Sequence, residues 1–292
     1  MVTVTLIIEQ LINGLASGCM YAILASGLTL IWGTMKMLNF AHGEFYMLGG
    51  YMLFFATNSF GLPPIAGLCL AVVIVLILGI LAEKVVIHPL LDKPGWEMSP
   101  LVVTVGVSIF LQNLALRLWG ERFKNVPYFI DGTQEFFGFR MANQRIFIFV
   151  VTAVVMLGFW IFIKRSKFGF GLRATAQDRD AATLVGINTK RIYTLTFGIS
   201  SGMAALAAVL LAPIFSINPW MGSNAVLKGF ITVVLGGLGS FGGAILAGII
   251  LGIAESVAVM VFSSEWKDVV AFAIFIMVLI FRPSGLFGTK EW

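Results

Sequence analysis

The chain has 292 residues, 59% of them hydrophobic and only 11% charged, with a mean hydropathy of +0.98. A soluble domain carries about a quarter charged residues, so this surface is built for lipid, and the fold class expected is all-α, a polytopic integral membrane protein. The net charge of +5 does not point to nucleic acid, because the basic residues sit between apolar segments and not in a stripe or tail.

A membrane-spanning helix needs about 20 predominantly apolar residues. In chain order the candidate spans are 6–32, 37–57, 62–83, 99–118, 146–163, 192–212, 242–262 and 269–281. The stretch 226–240 is too brief and too glycine-rich for a full span and reads as a broken or re-entrant piece. The whole of 1–292 reads as one transmembrane domain. Its N-terminus lacks the basic region of a cleaved signal peptide, so the first span is expected to be retained. Cys19 and Cys69 lie in apolar runs without metal-ligand spacing and read as small buried hydrophobes.

The sequence NFAHGE, Asn39 to Glu44, opens the second span with Asn39, His42 and Glu44. Ionisable groups inside a membrane protein are functional candidates by default. A helix cap by Asn39, with His42 and Glu44 paired to Lys36 or a neighbouring span, is preferred here over substrate contact. Two potential ligands do not make a metal shell. Gln112, Asn113 and Glu255 also fall within spans and are expected to face the bundle interior.

The loop 164–191 holds Lys164, Arg165, Lys167, Arg173, Arg179, Lys190 and Arg191, which makes it cytoplasmic by the positive-inside rule. Lys36 and the 84–98 loop then fall inside, and 117–145 falls outside despite five basic residues. The C-terminal tail, with Arg282 and Lys290, lies inside only if 226–240 crosses, which is the version preferred.

Within that loop, RATAQDRDAATLVGIN reads as one amphipathic helix of roughly three turns. Thr175 and Asp178 resemble a capping box, and Asp178 and Asp180 suit the positive end of the helix dipole. Ala181, Leu184 and Val185 share a face, and Gly186 is placed to end the helix. Such a helix either lies on lipid headgroups or fills a groove on a soluble partner.

Three pairs, Gly14 and Gly18, Gly198 and Gly202, and Gly248 and Gly252, have the spacing of close helix contacts. GGLGSFGG, Gly236 to Gly243, lacks the lysine and hydroxyl of a phosphate-binding loop, since Ala244 and Ile245 follow. Gly236, Gly237 and Gly239 therefore belong to a discontinuous segment lining a path or to a tightly packed hairpin, and the two readings stand level. No nucleophile is ordered by a base, so an enzyme is not expected.

DAATLVG, Asp180 to Gly186, resembles the EAA-x3-G loop of ATP-binding-cassette importer permeases, with Asp in the Glu position and without the I-x-L-P element that follows in the family. Its Ala181, Ala182, Leu184 and Val185 fall on that loop. GLTLIWGTMKMLNFAHGEFYMLGGY, FGFGLRATAQDRDAATLVGIN, KGFITVVLGGLGSFGGAILAGIILGIAE and IFRPSGLFG resemble blocks of the branched-chain amino acid permeases, most closely the smaller permease subunit. The resemblance runs from about residue 6 to 288. It implies about eight transmembrane helices, a second homologous permease subunit, two cytoplasmic ATPase subunits that bind ATP and magnesium, and an extracytoplasmic substrate-binding protein. It implies no cofactor on this chain and a bacterial inner membrane location. Asp178 to Gly186 is then the ATPase-coupling helix, and Asn39, His42, Glu44, the glycine segment and Glu255 are candidates for the translocation path or its gate. Urea or short amides are alternative cargo, and an ion-coupled secondary transporter is the rival class.

Overall fold

The computed structural model describes residues 2–91, 99–136 and 139–288. Parts of two expectations, Lys93 in the 84–98 loop and Lys290 in the tail, lie outside the described residues. Eleven α-helices run in order: α1 (Val2–Met35), α2 (His42–Phe54), α3 (Pro64–Ala82), α4 (Ser99–Trp119), α5 (Asn143–Arg165), α6 (Lys167–Gln177), α7 (Arg179–Leu184), α8 (Thr189–Leu211), α9 (Met221–Gly236), α10 (Phe241–Val261) and α11 (Trp266–Phe281). Wider π-helical turns extend α2 through Ser59 and α3 through Ile87. A short antiparallel hairpin, β1 (Thr133–Phe136) and β2 (Phe139–Ala142), joins α4 to α5, with Glu135 opposite Arg140 and their side chains paired at 2.7 Å.

The chain is an all-α membrane protein. Among the described residues, six helices are long and apolar enough to cross a bilayer: α1, α3 with its extension, α4, α5, α8 and α10. The expected spans near 37–57 and 269–281 are the shorter α2 and α11. The expected broken piece at 226–240 is corrected: residues 221–236 form one continuous helix, and the break is confined to the turn that follows it.

Helices α1 and α8 form the centre and are buried along most of their length, whereas α3, α4 and α5 expose apolar stripes such as Val73 and Ile77, Val102 and Ile109, and Val150 and Val154. That is the arrangement of a bundle whose outer helices face hydrocarbon. Lipid offers no hydrophobic drive between helices, so contact depends on close approach of small residues. At Gly18 a Cβ would stand 2.9 Å from Ile249 Cα, and at Gly248 it would stand 2.6 Å from Ala22 N. Hence α1 and α10 meet backbone to backbone. Gly198 and Gly202 instead leave room on α8 for the side chains of Ile80 and Leu76 of α3. Cys19 is buried as expected, but Cys69 is exposed on the outer face of α3.

Two contacts fix the ends of the bundle. Lys124, between α4 and α5, pairs its backbone with Ile217, between α8 and α9, at 2.9 and 2.8 Å. At the other end Leu286 and Phe287 donate to the carbonyls of Leu235 and Gly236, beside Trp32 near the end of α1. Helix α9 therefore joins the two ends, and the tail to Gly288 shares an end with α6, α7 and Lys36.

Candidate functional site

The α6–α7 segment differs from the single helix expected. Ser166 starts α6, its Oγ accepting from Gly169 N at 2.9 Å. The Arg173 guanidinium turns back to the Ile163 carbonyl and lies over the Phe170 ring at 4.6 Å. Thr175 is no cap: it is buried inside α6 and donates to Gly171 O at 2.8 Å. The chain breaks at Asp178, whose extended backbone starts a new helix. Its Oδ1 accepts from the backbone N–H groups of Asp180 and Ala181, both at 2.9 Å. A carboxylate there satisfies donors with no intrahelical partner and meets the positive helix end.

Gly186 ends α7 at φ +85°. Its N–H donates to Thr183 O, and that of Ile187 donates to Ala182 O, both at 3.0 Å. Ala182 seats α7 on the bundle, while Ala181 faces outward and Leu184 and Val185 are 89% and 75% exposed. A cavity of about 380 Å³ separates α7 from the end of α1, lined by Thr34, Lys36, Gln177, Asp178, Arg179 and Tyr193.

Asn39, His42 and Glu44 are all fully buried. Asn39 Oδ1 accepts from Ala41 N at 3.1 Å, so it closes the turn before α2 and does not cap the helix proper. His42 Nε2 meets Leu24 O at 3.1 Å, and its Nδ1 meets Ser200 Oγ at 3.3 Å. Ser200 in turn donates to Gly27 O at 2.8 Å, so one imidazole ties α2 to α1 and α8. Glu44 accepts from Ser108 of α4 at 3.0 Å, and its other oxygen lies against Gly222 at the start of α9. The expected alternative of a pairing with a neighbouring span is the geometry found.

Gly236, Gly237 and Gly239 form the turn from α9 into α10. Gly237 and Gly239 adopt φ +99° and +86°, and a Cβ on Gly236 would reach within 2.5 Å of Gly243 C. Ser240 caps α10, its Oγ accepting from Gly243 N at 3.2 Å. This is the packed-hairpin alternative, with the tail covering it.

Glu255 belongs to a buried ionic cluster between α1, α9, α10 and α11. It accepts from Lys228 Nζ at 2.5 Å and from Tyr21 Oη at 2.7 Å, and Lys267 Nζ stands 3.4 Å away. Lys228 also meets Asp268 Oδ1 at 2.8 Å. Two lysines and two carboxylates leave the cluster formally neutral. In front of it opens a cavity of about 520 Å³ between α1, α2, α9 and α11. Its polar wall is Lys228, Lys267, Asp268, Asn218 and Asn224; its apolar wall includes Met20, Tyr46, Phe215, Trp220, Met221 and Phe272. Sequence reasoning reached Glu255 but missed Lys228, Lys267, Asp268 and Tyr21. The available signal was Lys228 itself, a cation inside an apolar stretch.

Gln112 donates to Ser223 of α9 at 3.2 Å, as an interior amide should. Asn113 does not face inward: it is exposed and donates to Ile109 O of its own helix at 2.7 Å, which satisfies the amide without a partner helix.

A family model described as "Branched-chain amino acid transport system / permease component" matches residues 10–279. The high-affinity branched-chain amino acid transport system permease protein BraD of Pseudomonas aeruginosa is 40% identical over 298 residues, covering 97% of this chain and 96% of that protein. The permease protein LivH of the corresponding system in Escherichia coli K12 is 39% identical over 298 residues, with the same coverage. The permease protein LivM of Escherichia coli K12 is 26% identical, covering 91% of this chain and 67% of that protein.

Proposed function

This chain belongs to the family of permease components of branched-chain amino acid transport systems, and we propose on that premise that it is the transmembrane permease subunit of an ATP-binding-cassette importer. Its cargo is branched-chain or other hydrophobic amino acids, moved into the cell across a bacterial inner membrane. ATP and magnesium are bound by two partner subunits, and a binding protein delivers cargo on the opposite side. A second, related permease completes the pore, in keeping with the likeness to LivM.

The observation that carries the reading is α7. It is a six-residue helix held rigidly at both ends, with Leu184 and Val185 turned away from the protein. Apolar side chains presented on a capped helix suit a groove on another subunit. A helix so docked transmits a ligand-driven closure elsewhere as a rigid-body movement of the bundle. On this division of labour Asp178 and Gly186 set the lever's shape, Leu184 and Val185 engage the ATPase, and Ala182 passes the movement inward.

Uptake into proteoliposomes containing the purified transporter tests the proposal. Leucine accumulation should require ATP on the α7 side and binding protein on the other. The isolated chain should hydrolyse no ATP. Accumulation driven by a proton or sodium gradient alone, indifferent to ATP, would replace this reading with an ion-coupled carrier.

A further inference from the structure

We infer that the cavity between α1, α2, α9 and α11 is a subsite for the free amino acid in its zwitterionic form, so that this chain reads its cargo as well as conducting it. The inference rests on the importer reading above.

Size comes first. At about 520 Å³ the cavity falls in the range of about 300–1,000 Å³ typical of small-molecule sites. Its walls are divided by chemistry. Lys228, Lys267, Asp268 and Asn224 stand on one side, and Met20, Phe215, Trp220 and Phe272 supply apolar surface on the other. A hydrophobic amino acid has the same division, with a charged end and an apolar side chain.

The ionic cluster favours a zwitterion over either kind of ion. Lys228 is fixed from behind by Glu255 at 2.5 Å, and Glu255 is itself held by Tyr21 and flanked by Lys267. In front, Lys228 meets Asp268, which is 70% exposed. An arriving α-carboxylate can take the face of Lys228 while the α-ammonium takes Asp268. The Lys228–Asp268 pair is then exchanged for two pairs to ligand, with no change in net charge. A lone anion on Lys228 would leave Asp268 without its partner, and a lone cation on Asp268 would leave Lys228 with Glu255 alone, whereas a zwitterion supplies a partner to both. Urea and short amides carry no charge for the lysines and no side chain for the apolar wall. The choice of cargo left open by the sequence is thereby narrowed.

Position agrees. The wall from Phe215 to Trp220 lies at the bundle end marked by the Lys124–Ile217 pairing, opposite α7. A cargo delivered from the side away from the ATPases meets this cavity first.

The test uses the full chain with its copurifying subunits in nanodiscs, without binding protein. Saturable binding of tritiated leucine is read by scintillation proximity, and ATP-driven uptake by the same preparation, supplied with binding protein, is read in parallel. Leucine should compete fully and urea not at all. Leucinamide and isocaproate, each lacking one charge, should compete at least ~10-fold more weakly. Asp268→Asn should weaken leucine binding ~10-fold or more. Asn224→Leu, on an exposed turn of α9, decides the matter where the first variant fails to fold, and should also weaken binding. Wild-type uptake that needs ATP, with no saturable leucine binding or with unchanged affinity in the variants, overturns the subsite and leaves the importer standing. Uptake indifferent to ATP removes the importer reading and this inference with it.

Discussion

Lys228 is a cation in a stretch that otherwise reads as oil, and it is tolerated because Glu255 and Asp268 both reach it. Removing one member of a buried pair leaves the other charge uncompensated, at about 3–5 kcal/mol. Lys228→Met should therefore lower the thermal stability of the detergent-solubilised protein markedly, although Lys267 near Glu255 softens the loss. Adding Glu255→Gln should recover part of it. Equal melting of wild type and single variant would show that the pair contributes nothing. Glu44→Gln keeps the Ser108 contact in shape but removes an ionisable carboxyl packed against α4 and α9. It should impair assembly or gating and leave the order of preferred substrates unchanged; a reordered preference in competition assays would move Glu44 into the cargo path. The buried state of Asn39, His42 and Glu44 was legible as polarity inside a span. Their partners were not, because Ser200 and Ser108 are ordinary hydroxyls far away in the chain and only the bundle brings them near. Asn113 shows the reverse: an amide in a span need not point inward when its own helix offers a carbonyl.

At the scale of elements, α7 and the α1–α10 contact carry the clearest consequences. Gly186 sits at φ +85° with open space around the position of a Cβ. Gly186→Val is therefore strained by the backbone alone, at about 1–2 kcal/mol for a left-handed residue. The variant should reach the membrane at normal levels while the ratio of leucine moved to ATP hydrolysed falls; an unchanged ratio would deny α7 its role. Gly252→Leu acts differently, since its side chain would meet the Gly18 backbone of α1. It should abolish a folded peak in size-exclusion chromatography, and a normal profile would mean that the two helices separate without harm. The glycine spacing made this contact readable in advance. The two-helix form of 167–184 was not readable, because nothing in Gln177–Asp178–Arg179 resembles a breaker. Asp178 caps the helix after it, while Thr175, which the spacing had offered as the cap, is buried inside α6. Helix α9 was underestimated for a related reason: Gly229, counted toward a break, lies inside the helix and packs against Leu24 and Leu28.

Across the whole molecule, the cavity and α7 lie at opposite ends of one bundle, with α1 running between them. Tyr21 touches the ionic cluster, and Lys36 lines the smaller cavity beside Asp178 and α7. A tilt of α1 driven at one end would thus be felt at the other. Most of the spans and the basic loop that holds α6 and α7 were legible from hydropathy and charge, whereas the cavity was not, since its walls come from four separate stretches of chain. The most direct test places a photo-activated cross-linking residue at Leu184 in the assembled transporter. The account predicts adducts with a nucleotide-hydrolysing subunit, at a yield that changes when ATP is added. Adducts with lipid alone, with and without ATP, would contradict it.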